Sequence, residues 1–338
     1  MTTLHVLSNP NNPVHTLHRI DPFSWACLKF MKYMKQYGWN IIHYGVNGCD
    51  VPVETVICLD KTGQADSAAK YNEQAGKEIA KRKKPGDMIV CFYGLENKGA
   101  CLANPDLKAV EPSIGYTNDA VWAPYRVFVS YAQMHMYYGK NGMLMNPSWY
   151  DAVVYNGITP SEFDYCEDKD DYFLCFGRVI ENKGINLAIQ ATEKMGKRLI
   201  IAGEGNLSYM GYSKVPKHVE LIGPCNVEQR RQVMKKAKAI FGLTYYVEPF
   251  GNMVAEGYMS GTPAITADWG GFAETVQQGV TGFRCRDYKD IISAIERIDT
   301  IEHKNCYDWA MKNYADDVVH PQFDEYFNKL RVNNFYYS

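Results

Sequence analysis

The sequence predicts an α/β protein built from two doubly wound domains, and three observations carry that expectation. Strand-like and helix-like segments alternate along almost the whole chain, a pattern that produces parallel sheets with helices on both faces. At 338 residues the chain is too long for a single hydrophobic core and suits two domains of ordinary size. Its apolar fraction, 46%, is that of a globular protein, and no run approaches the roughly 18 consecutive apolar residues of a membrane span.

Taken in order, residues 4–8 read as a strand and 23–37 as a helix capped by Asp21, with Pro22 immediately behind the cap. Residues 40–44, 55–59, 88–92, 107–111 and 152–155 read as further strands, with helices at 67–83 and 125–138. A second series begins at Tyr172. It has strands at Tyr172–Phe176, 199–202, 219–222, 239–243 and 264–266, separated by helices such as 186–195. Near the end, Pro321 is expected to break 309–319 from 323–330. Two doubly wound domains place their strand-end loops facing each other, so the expected site is the cleft between them.

Composition excludes several classes of function. The segment Met1-Thr2-Thr3-Leu4-His5 enters a strand at once, without the basic region and apolar core of a signal peptide, so the expected location is cytoplasmic. The ten cysteines are scattered, with no C-x-x-C pair, which points to reduced, mostly buried thiols rather than zinc. A net charge of −2 gives no overall basic footprint for nucleic acid. The basic cluster at 77–84, followed by Pro85-Gly86, reads as the last turn of a helix and its stop. The acidic run Glu167-Asp168-Lys169-Asp170-Asp171 could mimic a D-x-D metal site, but its place just before a strand reads as a solvated linker. The expectation is therefore no metal and no cofactor.

Chemistry concentrates in the second series. Glu248-Pro249-Phe250-Gly251-Asn252-Met253-Val254-Ala255-Glu256 follows an apolar strand and opens a helix. Proline is favoured at the first helical position, so Glu248 reads as the last loop residue and Glu256 as lying about two turns inside. A helix N-terminus flanked by two carboxylates can hold an anion with backbone N–H groups and sugar hydroxyls with the acids. That combination suits a nucleotide sugar. Downstream, Trp269-Gly270-Gly271-Phe272-Ala273-Glu274 makes a second Gly-rich turn from strand to helix. Upstream, Gly177-Arg178 ends a strand and Lys183-Gly184 follows, so Arg178 and Lys183 bracket a short loop where two phosphates could be gripped.

Gly177-Arg178…Lys183-Gly184, then Leu199-Ile200-Ile201-Ala202-Gly203-Glu204-Gly205, then Glu248-Pro249-Phe250-Gly251…Glu256, then Gly270-Gly271…Glu274, resembles in order and spacing the C-terminal half of the retaining GT-B glycosyltransferases of family 4 type, the glycosyl transferases group 1. The resemblance is specific between about residues 172 and 286. It implies a Rossmann-like acceptor-side domain at 1–158, a Rossmann-like nucleotide-sugar-binding domain at 159–317, and a terminal helix at about 318–338 that crosses back onto the first. It implies a metal-independent retaining transfer of a hexose from a nucleoside-diphosphate sugar. Glu248 would contact the donor sugar and Glu256 the ribose hydroxyls. Backbone N–H groups of Phe250, Gly251 and Asn252 would support the sugar or distal phosphate, Arg178 and Lys183 would stabilise the leaving diphosphate, and Gly205 would lie near the nucleobase.

The acceptor side is less distinctive. Where many relatives carry a glycine pair, this chain has Ser8-Asn9-Pro10-Asn11-Asn12-Pro13, with His15 and His18 after it as candidate bases or ligands. Glu111 and Ser113, in a loop expected to follow a strand end, are candidates for acceptor positioning or charge stabilisation, and His135 reads as structural. The acceptor is expected to be a glycan, lipid or other hydroxyl compound. A transferase acting on hydroxymethylated DNA bases is an alternative that needs a basic cleft lining. A GT-B-shaped nucleotide-sugar epimerase, or a non-catalytic binding module, is a second.

Overall fold

The computed structural model describes residues 2–15, 22–116 and 118–332, so Asp21 and His18 lie outside the described residues. The chain divides into two compact units, Met1–Asn156 together with Val319–Ser338, and Gly157–Val318. In the first unit the order is β1 (Thr3–Leu7), α1 (Pro22–Gln36), β2 (Asn40–Val46), β3 (Glu54–Leu59), α2 (Ser67–Arg82), β4 (Met88–Cys91), α3 (Lys98–Leu102), β5 (Lys108–Ile114), β6 (Tyr125–Phe128), α4 (Tyr131–Lys140) and β7 (Ala152–Val153). The second unit contains β8 (Tyr172–Phe176), α5 (Ile185–Lys194), β9 (Arg198–Ala202), β10 (Val219–Gly223), α6 (Val227–Lys236), β11 (Ala239–Gly242), α7 (Asn252–Met259), β12 (Ala264–Ala267), α8 (Phe272–Thr275), β13 (Gly282–Cys285), α9 (Tyr288–Arg297) and α10 (His303–Asn313). The last helix, α11 (Asp316–Val332), starts in the second unit and runs into the first.

Each unit holds one sheet whose neighbouring strands are all parallel: β3-β2-β1-β4-β5-β6-β7 in the first and β10-β9-β8-β11-β12-β13 in the second. The chain reverses its direction of travel between β1 and β4, and again between β8 and β11. Loops at the carboxyl ends of such strand pairs are where doubly wound sheets hold ligands.

The first unit buries Leu4, Val6, Phe30, Met34, Val90 and Phe92 in one cluster with Val319, Phe323, Phe327 and Leu330 of α11. These four α11 positions recur at helical spacing, and Phe327 is fully buried, so its truncation to alanine should cost about 3–5 kcal/mol. That apolar face explains why Pro321 does not break the helix as its sequence suggested. Proline sits inside α11, and the packing outweighs its missing N–H.

Two other elements differ from the sequence reading. Residues 125–138 are not one helix: β6 takes the first four, and Ser130 then caps α4 by accepting a hydrogen bond from the Gln133 backbone N–H. Arg126 hides the strand, because a charge interrupts its apolar run, yet the side chain is buried against Asp151 (Nε to Oδ1, 2.8 Å) and the Tyr137 hydroxyl (2.6 Å). β13 was also unforeseen. Four residues, Gly-Phe-Arg-Cys, are too short to show an alternation, and Gly282 is paired with Ala264 so closely that any side chain there would strike the Ala264 carbonyl.

The first unit also buries titratable groups within its sheet. His5 Nδ1 lies 2.9 Å from the Tyr44 hydroxyl and its Nε2 3.4 Å from Asp87, whose carboxylate also accepts the backbone N–H groups of Thr3 and Lys84 at 2.7 Å each. His43 is fully buried with Nδ1 3.2 Å from the Thr55 hydroxyl, and burial pushes its pKa down to about 3. Among the described residues no helix is long and apolar enough to cross a membrane.

Candidate active site

The site is assembled from two loops at the carboxyl ends of β8 and β11. After β8, the Gly177 N–H donates to the Ala202 carbonyl (2.9 Å) and the Val179 N–H to the Glu204 carbonyl (2.7 Å), while Val179 and Gly205 form an isolated parallel bridge. The β8 loop is thus laid along the loop that follows β9. It then makes a tight turn over Glu181–Lys183 and ends at Gly184, which has a left-handed backbone (φ +69°). A side chain at Gly184 would collide with the Leu243 carbonyl oxygen, so glycine permits the two loops to touch. The Tyr245 N–H completes the contact by donating to the Asn182 carbonyl at 2.8 Å.

This contact places Lys183 beside the loop after β11. Its ammonium donates to Glu248 Oε2 at 2.8 Å, and the Tyr246 hydroxyl donates to the same oxygen, also at 2.8 Å. The Lys183 charge lies 5.1 Å from the centre of the Tyr246 ring. Burial and the Glu248 carboxylate push the Tyr246 hydroxyl pKa up, so it stays protonated and donating. The Glu248 main chain is held too, its carbonyl accepting the Gly271 N–H (2.7 Å), and Trp269 Nε1 fixes the Tyr246 carbonyl (3.1 Å). Among the described residues, Glu248 Oε1 takes no hydrogen bond, and the side chain keeps 13% of its surface exposed. Arg178 is exposed, and its positive charge acts on the Tyr246 hydroxyl.

The helix does not open at Pro249, as its sequence suggested. Gly251 is the N-cap of α7, with a left-handed backbone (φ +87°), and Asn252 is the first helical residue. Proline's fixed φ fits a loop as well as a first turn, and only the glycine can make this reversal without strain. Glu256 consequently lies about one turn inside, not two. Phe250 is an anchor: its ring is 2% exposed and meets Tyr314 edge-on at 5.4 Å, so only its backbone is placed to serve a ligand.

Glu256 belongs to a second cluster. Arg230 of α6 donates to it from Nη1 (2.9 Å) and to Glu162 from Nη2 (2.6 Å), with the guanidinium 4.8 Å from the Phe163 ring centre. A capping box of Asn226 and Gln229 starts α6 and presents Arg230 on its first turns. These partners of the glutamates were not foreseen. Tyr246 carries a local signal, standing two residues before Glu248, but Arg230 and Glu162 are 68 residues apart and leave no pattern in the sequence.

The first unit separates its candidates. His15 forms an isolated bridge with Asp50, its Nδ1 3.9 Å from the Asp50 carboxylate. Glu111 is not in a loop: it sits within β5, fully buried, accepting the backbone N–H groups of Trp122 (3.2 Å) and Ala123 (3.3 Å). Burial pushes its pKa up to about 7. Ser113, also in β5, is buried with a left-handed backbone (φ +56°), a strained conformation for serine. His135 lies on α4 with its ring 6.1 Å from that of Tyr131. The acidic run is solvated, with the Asp168 and Asp171 side chains largely exposed while paired with Lys236 (2.8 Å) and Lys197 (3.2 Å).

Comparison with known proteins bears on the same loops. Residues 162–318 match the family model described as glycosyl transferases group 1. In sequence the chain is similar to an uncharacterized glycosyltransferase of Methanocaldococcus jannaschii, 30% identical over 188 residues that cover 48% of this chain and 46% of that protein. It is also similar to glycogen synthase of Mycobacterium tuberculosis, 28% identical over 163 residues covering 44% of this chain and 39% of that protein. The chain thus spans less than half the length of these relatives. Among solved structures it resembles HepE of Anabaena in complex with UDP and glucose, with a TM-score of 0.73, 14% identity and coverage of 97% of this chain and 100% of that one. It also resembles sucrose-phosphate synthase of Thermosynechococcus elongatus, with a TM-score of 0.75, 16% identity and coverage of 99% and 100%. These likenesses give the fold, which is GT-B. The part of this chain that is similar to the glycosyl transferases group 1, residues 162–318, lies within the second unit.

Proposed function

We propose that this chain is a retaining glycosyltransferase that moves a hexose from a nucleoside-diphosphate sugar to an acceptor hydroxyl without a metal ion. The observation that carries this reading is the Lys183–Glu248–Tyr246 cluster at the entry of α7. HepE, solved with UDP-glucose, supports a UDP-hexose as the donor, and glycogen synthase among the sequence relatives supports a hexose as the sugar moved.

Cleaving the sugar–phosphate bond puts negative charge on the departing diphosphate and positive charge on the anomeric carbon. Lys183 offers one ammonium proton to Glu248 and keeps two for phosphate oxygens, while exposed Arg178 supplies a bidentate fork. Two cations there do the work that a metal does elsewhere. The N-terminus of α7 adds its dipole. Glu248, held by Lys183 and Tyr246 through Oε2, turns Oε1 to the sugar, where a carboxylate favours the developing positive charge. Glu256, oriented by Arg230, accepts the ribose hydroxyls.

The test is the rate of UDP-glucose hydrolysis and transfer in the full chain. Arg178→Ala and Lys183→Ala are each expected to lower turnover by about 30- to 1000-fold, equivalent to roughly 2–4 kcal/mol of charge stabilisation, with the thermal transition preserved. Wild-type turnover should persist in EDTA. Near wild-type rates in both variants overturn the assignment, and loss of activity in EDTA with recovery in Mg²⁺ or Mn²⁺ overturns the metal-free mechanism.

A further inference from the structure

Beside the Lys183–Glu248 cluster the second unit carries an open groove of about 380 Å³ lined by Ile180, Glu181, Asn182 and Tyr245. Its volume lies within the range of small-molecule sites. Nothing in the donor chemistry above uses these four residues, yet they are covalently continuous with it, Asn182 preceding Lys183 and Tyr245 preceding Tyr246. The groove is also built. The Tyr245 N–H bonded to the Asn182 carbonyl joins its two walls, and Gly184 holds the same loops in contact.

Its chemistry is specific. Tyr245 leaves 51% of its surface to solvent, although an aromatic ring of that size is normally covered. The Glu181 carboxylate, on the facing wall of the same groove, lies within electrostatic reach of the Tyr245 hydroxyl. Among the described residues, the Glu181 carboxylate and the Asn182 amide have no side-chain hydrogen bond. The groove therefore offers one flat apolar ring face, one carboxylate and one amide. A phosphate or nucleotide is disfavoured there, because the lining contains a carboxylate and no cation. A purely apolar ligand is disfavoured, because it would bury Glu181 and Asn182 without partners. A pyranose fits both demands, laying its C–H face on the ring and its hydroxyls against the acid and the amide.

We propose that this groove is a saccharide subsite that holds one sugar ring of a glycan acceptor next to the donor site, so that the acceptor of this enzyme is itself a carbohydrate. The use of the subsite in transfer rests on the glycosyltransferase reading above, but the binding of sugar to the groove does not depend on it.

The two are separated by measuring binding and turnover independently. Saturation-transfer NMR with maltotriose and cellotriose is expected to show binding of at least one trisaccharide to the wild-type chain. Tyr245→Ala should weaken that binding at least tenfold, Tyr245→Phe should retain it because the ring is kept, and Asn182→Ala should weaken it severalfold. Titration with UDP should be the same in all three variants and in wild type. With UDP-glucose as donor, Tyr245→Ala should raise the trisaccharide KM while leaving the rate of donor hydrolysis intact. No binding of either trisaccharide, or binding that Tyr245→Ala leaves unchanged, overturns the subsite. Failure of the donor reading shows itself differently, as absent UDP binding or normal hydrolysis in Lys183→Ala, with sugar binding still lost in Tyr245→Ala.

Discussion

The two units share one topology, a parallel sheet wound from its middle outward, and distribute their charges in opposite ways. The first buries ionisable groups inside the sheet. His5, His43 and Glu111 are all at 0% exposure, and Arg126 and Asp151 close a pair behind β6. The second places its charges where strands end and helices begin. Lys183 and Glu248 keep 22% and 13% of their side-chain surface, and Arg230 and Glu256 keep 11% and 15%. A buried group does its work in the fold, since its proton is tied to stability. A group at a loop mouth is only partly desolvated, so it can exchange an internal partner for a ligand. The same scaffold thus buries its titratable groups in one unit and leaves them at accessible loop mouths in the other.

The largest expected effect tests the first half of that contrast. His43 is held neutral when folded, with its pKa near 3, whereas the unfolded chain takes up a proton near 6.5. Below pH 6.5 the unfolded state binds more protons, so this residue removes stability as pH falls, about 5 kcal/mol in all by pH 3. Chemical denaturation of His43→Gln between pH 7 and pH 4 should show a shallower acid slope than wild type. An unchanged slope would break the contrast.

Glu111 works in the other direction and by less. Its folded pKa is about 7 against an ordinary value of 4.5, so between these values the folded chain holds the extra proton. Stability from this group is complete below pH 4.5 and lost as pH rises through 7, about 3 kcal/mol in total. Glu111→Gln, which keeps an oxygen for the Trp122 and Ala123 N–H groups, should match wild type near pH 4.5 and exceed it near pH 8. Equal stability at pH 8 would mean that the carboxylate is better solvated than its burial implies.

The smallest effect sharpens the second half. Glu248→Gln should lower kcat more than it weakens binding, because its charge counts most in the transition state. Glu256→Gln should weaken the nucleoside diphosphate itself by roughly tenfold, the scale of one charge-assisted hydrogen bond. Calorimetry with UDP alone separates them, since UDP carries no sugar. If Glu248→Gln loses UDP affinity and Glu256→Gln keeps it, the donor lies the other way along α7.

How much of this was readable in the sequence follows from the same contrast. The residues proposed to handle phosphate and sugar lie in short contiguous loops of the second unit, so Arg178, Lys183 and Glu248 stand out by spacing. The fold class followed from alternation, which needs only local periodicity. What stayed hidden depends on distance or on single torsions. Arg230 reaches Glu162 and Glu256 across the fold. The start of α7 is decided by one positive φ at Gly251 rather than by Pro249. Glu111 reads as a loop residue because Pro112 follows it, while the structure keeps both in β5.

The placement of α11 has a consequence for how the protein is made. Val319, Phe323, Phe327 and Leu330 fill the core around β1, β4 and α1, yet they leave the ribosome only after the whole of Gly157–Val318. The second unit is continuous in sequence and can close as soon as it emerges. The first must wait, on the order of ten seconds or more at ordinary elongation rates, with Leu4, Phe30 and Phe92 lacking their last partners. Of the two units, the one begun first is therefore sealed last, its apolar face exposed in the interval.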